Sequence, residues 1–236
     1  MRTRPDPSSP WGMRVWYDDA EFDLMMDELR TRAPLAKFEP GRGIDVEQIL
    51  LDVYNVSPDF GETDERTLGR STFHTDGRLE VSVSRTLSDA AESDHVARRR
   101  LRSTLAHECA HIVLHQHLHV APATGYLFDP PVSAPKVLCR SATIDRLQGV
   151  DWWEFQANRG MACLLLPKAL LVASVREATE ALGATDVREL LRAGQSEQLV
   201  RRIMNEFDVG MEMTIYRLQD LGFFPRTGDQ KELTLG

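Results

Sequence analysis

Thr104-Leu105-Ala106-His107-Glu108-Cys109-Ala110-His111-Ile112-Val113-Leu114-His115 is the stretch on which the reading of this chain turns. On a helix, residues four apart lie one turn above each other on the same face. His107 and His111 therefore project two imidazoles toward a common point, a chelate for one divalent cation. Glu108 follows the first of them and is rotated by about 100°. Its carboxylate falls beside that point, where it can take a proton from water. Cys109 sits about 200° from His107 and reads as a small buried packing residue on the far side.

The helix around this stretch extends from an Asp94 cap through about Leu118, with Leu101, Leu105, Ile112 and Val113 as core contacts. Arg98, Arg99, Arg100 and Arg102 in its first turns oppose the helix dipole and read as a solvated face or as partners of the surplus acids. The pattern is the His-Glu-x-x-His arrangement of zinc peptidases.

Upstream, Leu68 to His74 and Leu79 to Ser84 flank Thr75-Asp76-Gly77-Arg78, an Asp-Gly hairpin signal. Leu79, Val81 and Val83 alternate with Glu80, Ser82 and Ser84, as in a half-buried strand. An edge strand beside the active-site helix could pair with an extended peptide; a plain structural sheet fits the pattern equally. Asp45 caps a helix through Tyr54, and Pro58 and Gly61 break the pattern after it. Another helix runs from Glu21 to Arg32. Residues 1–15, Pro-rich at the start, read as a disordered tail.

Downstream, residues 120–150 read as a long loop near the site. Helices follow over Trp152 to Leu166, Pro167 to Arg176, Asp186 to Arg192, Ser196 to Glu206 and Met211 to Leu221, the last closed by Gly222. The segment 195–223 is a helix-turn-helix-like pair packed on a main domain spanning 16–194, and 224–236 is a loose tail.

A catalytic zinc site normally takes three protein ligands. His117 matches the spacing of a third histidine ten residues after His107, but Leu114 stands where that pattern needs a chain-reversing Gly. His115 and His119 continue the helix end, and Asp129 and Asp145 have no motif around them. Glu154 is the stronger candidate. It lies in the mostly apolar Trp153-Glu154-Phe155-Gln156-Ala157-Asn158-Arg159-Gly160-Met161-Ala162-Cys163-Leu164-Leu165-Leu166-Pro167, where an inward carboxylate is costly unless compensated. Asn158, one turn on, can hydrogen-bond a ligand.

Leu105-Ala106-His107-Glu108-x-x-His111-x-x-Leu114-His115, followed by Glu154-x-x-Ala157-Asn158-x-x-x-Ala162-x-Leu164-Leu165-x-Pro167, resembles the ImmA/IrrE family of metallopeptidases. The resemblance extends to Phe207-Asp208-Val209 and Arg217-Leu218-x-x-Leu221-Gly222, and covers roughly residues 40–223. It implies an α+β fold: a zincin-like metallopeptidase core with a small antiparallel sheet beside the active-site helix, plus the C-terminal helices. It implies His107, His111 and Glu154 as ligands of one Zn2+, with Mn2+ and Fe2+ suited to the same donors, and Glu108 as general base. His115 joins Asn158 as an outer hydrogen-bonding group; Tyr126, His74 and His115 are candidates to stabilise the oxyanion. The implied substrate is an intracellular helix-turn-helix transcriptional regulator, cut in stress response or mobile-element regulation. The chain departs from the family pattern at Gly160-Met161, where a Phe more often precedes the Ala, and at Cys109-Ala110, where a Gly commonly precedes the second His.

The remaining bounds agree. A chain of 236 residues with 42 % hydrophobic content can bury a sizeable core. A net charge of −8 disfavours general nucleic-acid or membrane-surface binding. Three cysteines without a Cys-x-x-Cys, no signal-peptide pattern at the start and no membrane span lead to the expectation of a cytoplasmic enzyme without membrane partners. The alternative is a DNA-binding or protein-binding regulator that uses the helix-turn-helix-like segment and keeps a vestigial peptidase site. Direct DNA binding is disfavoured, because Met211 to Leu221 sets Glu212 and Asp220 against Arg217 alone.

Overall fold

The computed structural model describes residues 2–7, 9, 11–64, 67–74, 77–119, 137–140 and 151–226. In chain order the elements are β1 (Arg2–Pro5), β2 (Met13–Trp16), α1 (Asp19–Arg32), β3 (Phe38–Glu39), β4 (Gly43–Ile44), α2 (Val46–Tyr54), β5 (Asp59–Glu62), β6 (Thr67–Phe73), β7 (Leu79–Ser84), α3 (Arg85–Ala91), α4 (His95–His119), β8 (Val137–Arg140), α5 (Trp152–Leu165), α6 (Lys168–Ala181), α7 (Val187–Arg192), α8 (Ser196–Phe207) and α9 (Met211–Asp220). The fold is α+β. No described helix is long and apolar enough to cross a membrane.

Two compact units emerge, one of residues 1–37 and 45–164, the other of 38–44 and 165–236. This corrects the expected division after 194. Helices α6 and α7 belong with α8 and α9, and the β3–β4 hairpin joins them although it is remote in sequence. Sequence periodicity cannot reveal such a boundary, because each helix only shows that it has an apolar face.

In the first unit a four-stranded sheet has the order β5-β7-β6-β8. β6 and β7 form the expected antiparallel hairpin, with Ser71 opposite Val81 and Phe73 opposite Leu79. β5 adds a parallel strand on the far side of β7, so the sheet is mixed. β8 pairs antiparallel with β6. Neither hairpin strand is therefore an edge, and 120–150, expected as loop throughout, contributes a strand. β5 and the short α3 were likewise not anticipated. Both are too short for periodicity to register, and long-range pairing decides β5.

The N-terminal tail is also corrected. β1 and β2 pair antiparallel from Arg2–Trp16 to Pro5–Met13. Pro5 is tolerated because β1 is an edge strand with no further partner for its missing N–H, and Gly12 supplies a left-handed φ of +67° at the turn. Trp11 anchors the hairpin among Trp152, Trp153, His115 and His119.

α4 runs unbroken past Leu114, which leaves His117 exposed near its C-terminal end. α5 meets α4 at Gly160. A Cβ there would lie 2.9 Å from the Ala110 Cβ and 3.1 Å from Leu114 Cδ1, so only glycine permits this approach. The Ala110 methyl faces the bare backbone at Gly160.

In the second unit Leu171, Val175, Leu190, Leu199, Ile203 and Phe207 are buried. Phe38 packs its ring 4.7 Å from that of Phe207, and the Gly41 amide donates to the Glu206 carbonyl at 2.7 Å. α8 and α9 flank a turn at Asp208 (φ +51°). Arg217, the cation of α9, is 1 % exposed and donates to Asp220 and to the Leu166 carbonyl.

Candidate metal centre

The site lies within the first unit and joins α4 to α5. His107 Nε2 and His111 Nε2 are 2.9 Å apart. Glu154 Oε2 is 3.2 Å from the first and Oε1 is 3.5 Å from the second. Ligand atoms arranged tetrahedrally about zinc at about 2.0–2.1 Å stand about 3.3 Å from one another. The three side chains fit that spacing, and His107, His111 and Glu154 form the one group of three or more metal-ligand residue types that converges in this way among the described residues.

The hydrogen bonds on the far side of each ring decide what these atoms can do. His107 Nδ1 donates to Asn158 Oδ1 at 3.0 Å, which leaves Nε2 with a free lone pair. His111 Nδ1 lies 3.1 Å from His115 Nδ1, and His115 Nε2 lies 3.0 Å from Gln156 Oε1. Two imidazole lone pairs and a carboxylate thus face one another in a pocket where His111 is 0 % exposed and the Glu154 side chain 12 %. Acceptors do not attract each other. A cation, either a proton or a metal ion, is what such a set binds.

Titration reflects the same arrangement. Burial works to lower the His107 imidazole, but its hydrogen bond to Glu154 and the charges of Glu108 and Glu154 outweigh burial and hold it above its ordinary value. Burial works to raise Glu154, and the neighbouring His107 and His111 imidazoles pull it far below the usual carboxylate range. Burial and the neighbouring His111 keep His115 well below an ordinary histidine. Burial, with His111 and His117 adding to it, takes His119 down to about 4.

Glu108 is fully buried. Its Oε2 accepts from Ser71 Oγ on β6 at 2.6 Å, and Oε1 has no hydrogen-bond partner among the described residues. β6 comes this close because residue 69 is glycine: a Cβ there would stand 2.8 Å from Oε1 and 2.6 Å from Thr104 Cγ2.

Of the residues singled out from sequence, His107, His111, Glu154, Asn158 and His115 come together. His74 does not join them. Its Nε2 sits 3.0 Å from the Glu80 carboxylate without hydrogen-bond alignment. Tyr126, Asp129 and Asp145 lie outside the described residues. Cys109 is buried and free, and burial pushes its thiol up to about 12. Sequence reasoning missed Ser71, Gly69 and Gln156. A signal was present for the first two: the inward positions of β6 include the small or polar Thr67, Gly69 and Ser71 while Leu68 is only half-buried, the reverse of an ordinary core strand. Gln156 carried no signal, since an amide on an apolar helix has no preferred partner.

No protein-family model matches the chain, and no curated protein matches it.

Proposed function

We propose that this protein is a metal-dependent endopeptidase with a zincin-like core of the ImmA/IrrE type, holding one Zn2+ on His107, His111 and Glu154. The observation that carries the reading is the convergence of those three lone-pair donors beside a buried carboxylate, Glu108, that keeps one oxygen unpartnered. His107, His111 and Glu154 would hold the divalent cation, which when bound would supply Lewis acidity toward a scissile carbonyl and a water molecule. Glu108 then receives the proton on Oε1 and returns it to the leaving amine, while Ser71 holds Oε2 so that the carboxylate cannot rotate away. Asn158 and His115 keep the two imidazoles oriented.

The proposed substrate is a protein, of the helix-turn-helix transcriptional regulator class. The α8–α9 pair is read as a packing or protein-docking element. The burial of Arg217 supports this over DNA binding, because a phosphate contact would need that guanidinium in solvent.

The deciding experiment replaces Glu108 by Gln. Zinc content by elemental analysis stays at one per chain, and cleavage of a co-expressed candidate repressor falls by about 10²–10⁴-fold. Cleavage at the unaltered rate would end the peptidase assignment.

A further inference from the structure

Beyond the ligands, a chain of hydrogen bonds leads from His111 to the N-terminal hairpin, and its direction can be worked out from one end. The Gln156 side-chain amide donates from Nε2 to the Val15 carbonyl of β2 at 2.7 Å. A backbone carbonyl only accepts, so the amide cannot be turned the other way. Gln156 Oε1 is then the atom that faces His115 Nε2. An amide oxygen also only accepts, so His115 carries its proton on Nε2 and has a lone pair on Nδ1. That lone pair faces His111 Nδ1, which must therefore be the protonated nitrogen. His111 Nε2 is left bare, on the side where His107 Nε2 and Glu154 converge.

Among the described residues these are the hydrogen-bond partners found for the two side chains. His115 is 0 % exposed and Gln156 5 %. Trp11 and Trp152 pack around the His115 ring, with centroids 6.4 and 5.7 Å away. Tyr17 ties the same hairpin to α4 by donating to the Leu114 carbonyl at 2.9 Å.

We propose that Gln156 is a positioning residue, which through His115 locks His111 into the tautomer that exposes Nε2 to the metal, with the Val15 carbonyl setting the direction of the whole relay. The proposal rests on the reading of His107, His111 and Glu154 as a metal site. Outer hydrogen-bond partners of metal-ligating histidines generally alter metal affinity by about 10–100-fold, and Gln156 acts at one remove through a ring that is itself buried.

The test is zinc affinity by chelator competition on the full chain, together with 15N NMR of the histidine rings in metal-free protein. The unaltered chain binds one zinc, His107→Ala abolishes that binding, and the His111 ring carries its proton on Nδ1 alone. Gln156→Leu weakens zinc by about 10-fold or more and gives a mixture of His111 tautomers. Unchanged affinity with an unchanged tautomer in Gln156→Leu overturns the relay while leaving the metal site intact. Absence of zinc binding in the unaltered chain overturns the metal site and the relay with it. Should Gln156→Leu fail to fold, His115→Gln and His115→Leu decide. A glutamine can accept from His111 and donate to Gln156, so it retains the tighter binding, and equal affinities in the two variants refute the proposal.

Discussion

In the second unit Arg217 and Asp220 bury charges of opposite sign that offset each other. In the first, His107, His111 and Glu154 bury three acceptors that do not. The Arg217 guanidinium donates to a carboxylate at 2.6 Å and to the Leu166 carbonyl at 3.3 Å, so donors meet acceptors. At the α4–α5 crossing the rings spend their N–H groups on Asn158 and His115 and turn lone pairs toward a carboxylate. A buried polar cluster that balances its own donors and acceptors reads as structural. One left with surplus lone pairs reads as a place for a cation, and this difference separates two regions that look equally polar in sequence.

The contrast can be broken first at Arg217. Arg217→Met removes the buried guanidinium that donates to the Asp220 carboxylate and should cost about 3–5 kcal/mol in urea unfolding, with zinc content unaffected. The double replacement Arg217→Met with Asp220→Leu should recover most of that loss, as expected of a set that serves only the fold. If the single variant instead lost zinc, the two clusters would not be independent in the way described.

A smaller effect is expected at the helix crossing. Gly160→Ala places a methyl 2.9 Å from the Ala110 Cβ and should destabilise by about 1–3 kcal/mol through overpacking. It should also weaken zinc, because Glu154 rides on the displaced helix. Adding Ala110→Gly should restore part of both, because Met26 Cε at 3.0 Å and Leu114 Cδ1 at 3.1 Å still crowd the new methyl, measured by thermal unfolding and chelator competition as a double-mutant cycle.

The smallest effect concerns pH. The metal-free fold raises His107 above its ordinary 6.5, so that contribution is complete below 6.5 and fades as pH climbs through the folded value. Glu154 is depressed below 4.5, so its contribution is present above 4.5 and is lost only as pH falls through the folded value. Between these limits a proton occupies the place of the metal. The rise in melting temperature on adding zinc should therefore be greater near about pH 8 than near about pH 6. Arg217 does not titrate in this range, so the stability of the second unit should show no matching change with zinc.

Much of the site was legible because its parts are local. The i, i+4 histidines, the Asp45 cap of α2 and the unbroken run through Leu114 all follow from spacing along one helix. Glu154 could be nominated as a charge on an apolar helix, though only the crossing at Gly160 shows what it meets. The reading failed where the partner was remote and the local pattern weak. Residues 2–5, at the head of a Pro-rich stretch, became a strand because β2 and Trp11 hold them, and β5 and β8 exist through pairing with β7 and β6. Helices α6 and α7 fell to the second unit for the same reason.

Sequence by itself determined which groups are available: two imidazoles one helical turn apart, a carboxylate beside them, and an α+β alternation of elements. Those follow from backbone geometry within single segments, which needs no knowledge of the rest of the chain. Only the tertiary structure decided which ring nitrogen is bare, which oxygen of Glu108 is occupied by Ser71, and that an N-terminal carbonyl governs a histidine nearly a hundred positions later. Hydrogen-bond direction depends on who stands opposite, and that is settled by packing across the chain.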